Sequence, residues 1–191
     1  MDKKISHKLI GFFILAIFIV ALIVILHFIS PQEIVNKIGV RNGYLLVFLI
    51  SFFGGFSAGG SISFISVLIT LAVGGLNPVF LGLISGTSLA IGDVIMFYAG
   101  SKGRELIKNK WDQRFEKITE IFKSKKWLYK IIPIIVYLYI GFTPLPNDLM
   151  ILFLAAIRYP MKKMSVIIIL GDLSFALTVA ILASKGITYI T

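Results

Sequence analysis

Long apolar runs separated by short basic stretches set the pattern of this chain. A helix that spans a bilayer needs about 20 mostly apolar residues. Residues 9–29 meet that length, follow Lys3, Lys4 and Lys8, and are closed by Pro31. A cleaved signal peptide is the competing reading. The run exceeds the roughly 7–15 apolar residues of a signal core, and no small-x-small cleavage site follows, so a retained transmembrane helix is expected. A polar stretch, 32–42, comes next. Residues 43–75 are apolar but carry Gly54-Gly55-Phe56-Ser57-Ala58-Gly59-Gly60-Ser61 in their middle. Each glycine costs a helix about 1 kcal/mol relative to alanine, so this segment is expected to break. Residues 127–157 are interrupted in the same way by Thr143-Pro144-Leu145-Pro146-Asn147-Asp148, because proline removes a backbone donor and forbids a continuous helix. The stretches 79–100 and 164–183 read as uninterrupted spans. Between them, Ile107, Trp111, Phe115, Ile118 and Phe122 recur at helical spacing among basic residues. That predicts an amphipathic helix over 103–126 lying on the inner leaflet.

Charge bias decides whether the two broken segments cross the membrane. If the N-terminus is cytoplasmic and each broken segment enters and leaves on one side, sixteen Lys and Arg fall inside and three, Lys37, Arg41 and Lys185, fall outside. This obeys the positive-inside rule. A single crossing by 43–75 would move the ten basic residues from Lys102 to Lys130 outside. Each half-segment of about 12–15 residues also reaches only about 18–22 Å, against a hydrocarbon core of about 30 Å. The expected fold is an all-α polytopic membrane protein. Two re-entrant helical hairpins enter from opposite sides, and each is followed by a transmembrane helix, an inverted repeat. Residues 1–31 add the N-terminal helix, and 32–191 form the membrane domain. The pairs Gly92-Asp93 and Gly171-Asp172, and Ser101-Lys102-Gly103 and Ser184-Lys185-Gly186, echo one another after each hairpin, as expected of opposed transporter repeats.

Composition narrows the function classes. Hydrophobic residues make up 58% and charged residues 15% of the 191 residues, where soluble domains carry about 45–50% and 25%. A cytosolic enzyme, a disulfide scaffold and a disordered regulator are thereby excluded. There is no Cys and only His7 and His27, so neither a metal centre nor a cofactor is expected. The net charge of +10 flanks apolar runs, which assigns it to anionic inner-leaflet headgroups and topology and not to nucleic acid. A prokaryotic inner membrane, with the N-terminus cytoplasmic and the C-terminus outside, is the expected location. A homo-oligomer is compatible with this plan.

Asp93, Asp148 and Asp172 are the acids within the apolar segments. Charged groups at mid-bilayer cost about 2.5–3.5 kcal/mol on insertion scales and are functional by default. Asp93 and Asp172 lie roughly 10–12 Å from the cytoplasmic side at 1.5 Å per residue, and Asp148 sits at the tip of the hairpin entering from that side. With no basic residue at that depth, convergence of the three suits proton carriage or cation binding; helix-helix hydrogen bonding is the plainer alternative. Asn147 is expected to cap the helix after the tip, with Asp148 favouring its N-terminus. That tip, with Thr143, Pro144, Pro146 and Asn147, offers a headgroup the positive end of a helix. The first tip offers Ser57, Gly59, Gly60, Ser61 and Ser63 to the same ligand, or serves only tight packing. Arg158, Lys162 and Lys163 form a basic turn at the inner leaflet. Gly82, Gly86 and Ala90 make a small-residue row for close helix contact. No HExxH, P-loop or GxSxG motif is present, so an enzyme is not expected.

Residues 86–103, Gly-Thr-Ser-Leu-Ala-Ile-Gly-Asp-Val-Ile-Met-Phe-Tyr-Ala-Gly-Ser-Lys-Gly, form a Gly-rich span ending in basic residues. Thr143-Pro144-Leu145-Pro146-Asn147-Asp148 is followed by Ala155-Ala156-Ile157-Arg158-Tyr159-Pro160. With the two broken hairpins, these stretches resemble the DedA/VTT family of SNARE-associated Golgi proteins over roughly residues 35–185. The resemblance implies lipid movement: undecaprenyl phosphate recycling, phospholipid flipping and proton-dependent membrane homeostasis in bacterial members, and phospholipid scrambling in eukaryotic relatives. Two features depart from the family pattern. The first hairpin has no acid over 53–69, and Gly141 and Asn147 stand where many bacterial members carry arginines around the second-hairpin proline. Three functions follow as expectations: a flippase or scramblase of a phosphate-headgroup lipid, phospholipid or polyprenyl phosphate, with proton coupling an open feature; a proton-driven exporter of small cations or drugs; or a non-transporting membrane scaffold.

Overall fold

The computed structural model describes residues 31–56, 61–106, 116–120, 126–143 and 145–188. The described residues include the helices α1 (Pro31–Ile38), α2 (Val40–Phe56), α3 (Ser61–Val73), α4 (Pro78–Leu106), α5 (Lys126–Phe142), α6 (Asn147–Ala156) and α7 (Met161–Thr188). No strand occurs among the described residues. The expected N-terminal helix at 9–29 lies outside the described residues.

Among the described residues, two helices are long and apolar enough to cross a membrane, over Pro78–Gly103 in α4 and Met161–Gly186 in α7. They point to membrane association. Both continue beyond the spans read from sequence. Residues 103–106, expected to open the amphipathic helix, instead continue α4. Of that helix, 107–115 and 121–125 lie outside the described residues. Residues 116–120 are helical, Ile118 packs against the core, and Thr119 Oγ1 donates to the Ile157 carbonyl at 3.3 Å.

The polar stretch 32–42 contains a short helix that its hydropathy conceals. Proline suits the first position of α1, where a missing N–H costs nothing. Glu33 sits in the first turn and Lys37 in the last, both favourable to the helix dipole. Val35 is buried beneath it. Gly39 then takes a left-handed φ of +82°, and the chain turns 100° into α2.

The two long helices pack against each other through the small-residue row. A Cβ on Gly82 would meet Leu177 Cα at 2.7 Å, and one on Gly86 would meet Leu173 Cα at 2.9 Å. Contacts run 82 to 177 and 86 to 173, so α4 and α7 are antiparallel. The shorter helices cross over around this pair. α2 packs on α4 and α5 on α7, whereas α3 packs on α7 and α6 on α4. Two apolar cores result. One gathers Phe97, Val136, Ile140, Ile151, Leu154 and Ile168; the other gathers Val47, Phe64, Leu68, Leu71, Leu81 and Ala176.

The connections into α4 and α7 share one construction. α3 ends with Gly75 at φ +96°, and the Leu76 N–H returns to the Leu71 carbonyl at 3.2 Å. α6 ends with Arg158 at φ 58°, and the Tyr159 N–H returns to the Leu154 carbonyl at 2.9 Å. In both, the residue after the left-handed one is buried against the helix it closes, Leu76 on Leu71 and Tyr159 beside Leu154. The Asn77 side chain then caps α4, accepting from the Val79 N–H at 2.9 Å and the Phe80 N–H at 3.2 Å. Arginine in the position where Gly75 stands carries steric strain that glycine lacks. Arg158→Gly is expected to raise the stability of the protein by about 1 kcal/mol, read as an increased melting temperature in detergent. A decrease would mean that the Arg158 side chain outweighs its backbone strain.

Candidate functional site

The carboxyl groups read from sequence as buried do converge. Asp93 on α4 is 1% exposed, Asp172 on α7 is 0%, and Asn147 and Asp148 in the first turn of α6 are 9% and 4%. Asn147 Nδ2 donates to Asp172 Oδ1 at 3.3 Å. Asp93 lies within interaction range of Asp148, Asp172 and the Asn147 amide. Asp93 Oδ2 and Asp172 Oδ2 are buried and receive no hydrogen bond. Every Lys and Arg whose side chain is described is exposed, so none of them shares this buried site. Among the described residues, no group of three His, Cys, Asp or Glu is arranged to hold a metal ion.

Glycine puts these acids where they are. A Cβ on Gly92 would fall onto the Phe52 carbonyl oxygen, and one on Gly55 would fall onto the Leu89 carbonyl oxygen and lie 2.9 Å from Asp93 Oδ1. The α2 and α4 backbones therefore touch beside Asp93. In the other half, a Cβ on Gly171 would meet Ile140 Cγ2 at 2.6 Å, and one on Gly141 would lie 3.5 Å from the Gly171 carbonyl oxygen. The α5 and α7 backbones touch beside Asp172. The repeated Gly-Asp pair thus has a mechanical sense: the glycine admits the neighbouring helix, and the aspartate faces the crossing it creates. Gly55, Gly92, Gly141 and Gly171 were not singled out as site positions from sequence. Their signal was present in the Gly-Asp echo, which reads as weak until the partner glycines are known.

Each long helix is also tied to its crossing partner by a hydroxyl. Ser88 Oγ donates to the Phe48 carbonyl at 2.6 Å, joining α4 to α2. Tyr137 and Ser174 share a hydrogen bond of 3.0 Å, joining α5 to α7.

The remaining predicted residues are placed less centrally. Pro146, not Asn147, stands at the N-cap of α6, with φ −59° and ψ 119° and no side-chain cap. Asn147 is instead the first residue inside α6, and its amide N–H reaches across the interface to Asp172. Pro146 is held from α5, its carbonyl accepting from Tyr139 OH at 3.1 Å. Thr143 Oγ1 bonds back to the Tyr139 carbonyl at 2.6 Å, within its own helix end. Arg158, Lys162 and Lys163 are exposed at the connection from α6 to α7, and Ser63 is exposed on α3. Ser61 opens α3. Ser57, Gly59, Gly60 and Pro144 lie outside the described residues.

Chemically, the arrangement is a buried acidic cluster built from three helices around one amide donor, with Asp93 Oδ2 and Asp172 Oδ2 open. It can hold a proton or attract a small cation. It has no nucleophile and base paired for covalent work. Comparison of the chain with protein-family models, with curated proteins and with solved structures finds no match.

Proposed function

We propose that the chain is a proton-coupled membrane transporter with Asp93, Asp148 and Asp172 as its proton-carrying centre and a lipid with a phosphate headgroup as its cargo. One observation carries the reading: three buried carboxyl groups from three helices meet, Asp93 beside Asp148 and Asp172, and Asp93 Oδ2 and Asp172 Oδ2 receive no donor. Charge in hydrocarbon is costly, and such groups mark ion and proton paths. A proton held between two carboxyl groups turns a contact of acceptors into a hydrogen bond.

The same reading makes α2–α3 and α5–α6 re-entrant hairpins of an inverted repeat. α3 has 13 residues and α6 has 10, about 20 Å and 15 Å of helix, too short for a hydrocarbon core of about 30 Å. The crossed packing of the short helices and the twin connections into α4 and α7 support two equivalent halves. In the topology with the cytoplasmic N-terminus, Arg158, Lys162 and Lys163 lie at the inner leaflet. There they attract the headgroup, while the acids deeper in the fold change charge state. The lipid cargo is supported by the resemblance of the two hairpin segments to the DedA/VTT pattern.

The test is loss of a fluorescent phospholipid from the inner leaflet of proteoliposomes, with and without a pH gradient. Gradient-dependent movement is expected. Equal movement in both conditions would remove proton coupling. The open carboxyl oxygens of Asp93 and Asp172 also favour a second reading, export of small cations. Proton release from the purified protein on adding a lipophilic ammonium, without lipid movement, would establish that one. If polar substitutions at the hairpin tips change abundance and never flux, the protein is a scaffold.

A further inference from the structure

An apolar groove of about 350 Å³ runs along the outside of the two long helices, lined by Thr87, Ala90, Ile91, Val94 and Ile95 of α4 and Ile169 of α7. Its volume falls in the range of about 300–1,000 Å³ typical of small-ligand sites. Its one hydroxyl, on Thr87, is already bonded to the Leu83 carbonyl at 2.7 Å. The groove therefore offers dispersion and burial, and no polar recognition. It lies in the middle of the Pro78–Gly103 span, at the depth of hydrocarbon chains.

What decides the occupant is how the two groove walls end. Along α4, Thr87, Ile91, Ile95, Tyr98 and Lys102 follow one another at three or four residues and are all exposed. Along α7, running the other way, Ile169, Val166 and Lys162 do the same. Lys102 lies seven residues beyond Ile95, and Lys162 seven residues before Ile169. Two full helical turns return to the same face, about 10.5 Å along the axis. Both walls therefore end in a lysine toward the same side, with Tyr98 between groove and charge on one of them. An aromatic ring followed by a basic residue is the arrangement of the headgroup boundary.

We propose that this face is a resident site for a single anionic membrane lipid, its hydrocarbon chain in the groove and its phosphate between Lys102 and Lys162. The site is on the outer surface of the α4–α7 pair and uses none of the buried acids, so it does not depend on the transport reading. It fixes the partner by charge complementarity: a zwitterionic lipid fills the same groove but gains less at the two lysines.

The experiment measures thermal unfolding of the full chain in detergent on addition of phosphatidylglycerol or phosphatidylcholine with identical chains. Specific binding to the folded state raises the melting temperature with lipid concentration. Phosphatidylglycerol is expected to stabilise at lower concentration than phosphatidylcholine. Replacing both lysines, Lys102→Gln with Lys162→Gln, is expected to weaken its apparent affinity roughly 30-fold and to abolish the difference between the two lipids. Thr87→Trp, which fills the groove from an exposed position, is expected to weaken both lipids. Lys185→Gln, at the opposite end of α7, is expected to change neither. The proposal is overturned if the preference for phosphatidylglycerol survives the double substitution, or if Lys185→Gln reduces it equally. It is overturned also if Thr87→Trp leaves both lipids unaffected in a protein that still melts cooperatively.

Discussion

Asp172→Asn is expected to stop pH-driven lipid movement and, at the same time, to make the protein more stable. The substitution keeps the shape of the side chain and keeps Oδ1 as acceptor for the Asn147 amide, 3.3 Å away. It removes the ability to take up and release a proton, and it removes one of three acids that lie together in a buried site. A single positioned proton-transfer group contributes on the order of 100-fold or more to a rate, and a loss of that size is the expected fall in gradient-driven flux. The amide also removes the cost of burying an ionisable group among other acids. The variant should therefore melt higher in detergent than the parent. Opposite movement of flux and stability is the mark of a group retained for function. If Asp172→Asn melts lower and transports normally, the cluster is a structural network and the proton-carrying role fails.

Gly92→Ala tests the other requirement, that helix backbones meet beside the acids. The new methyl would fall onto the Phe52 carbonyl oxygen and lie 3.0 Å from Gly55 carbon. Neither is the end of a flexible side chain, so α2 must move away from α4. Overpacking alone typically costs about 1–3 kcal/mol. Here the displaced atoms are main chain on both sides, and the expected loss is at the upper end or beyond. Gly103→Ala is the matched control. It lies in the same helix with nothing within 4 Å of the new methyl, and it should stabilise by up to about 1 kcal/mol through helix propensity. Unfolding in detergent distinguishes the two, and equal effects would mean that the close crossing is not what holds α2 in place.

The contrast explains what was legible in the sequence. Helix class, the two long spans and the burial of Asp93, Asp148 and Asp172 follow from hydropathy, because a long apolar run admits few alternatives. The meeting of those acids was an expectation resting on estimated depth alone. The structure supplies what depth cannot: the rotation of α4 and α7 about their axes, set by Gly82 and Gly86 against Leu177 and Leu173. Local rules were less informative where a side chain had two uses. Asn147 is a good cap by type, yet it stands one position inside α6, and its amide N–H reaches a carboxyl 25 residues away in sequence. α1 is hidden because a reading for apolar runs passes over its polar content, although Ile34, Val35 and Ile38 recur at helical spacing. The left-handed stop at Gly75 is announced by its glycine, whereas the same stop at Arg158 carries no such letter.

The crossed packing of the short helices has a consequence for synthesis. α3 is buried by α7, whose first residue is made nearly ninety residues after α3 ends. At about 5–20 residues per second, the ribosome takes roughly 5–20 s to supply that partner. During this interval Phe64 and Leu68 lack the neighbours they finally pack against on α7. α6 has the reverse history, since α4 is already present when it emerges. The first half is thus the slow one to bury and the second half the one that closes the molecule. Neither half encodes a complete core of its own, so the two are translated as separate stretches but mature as one.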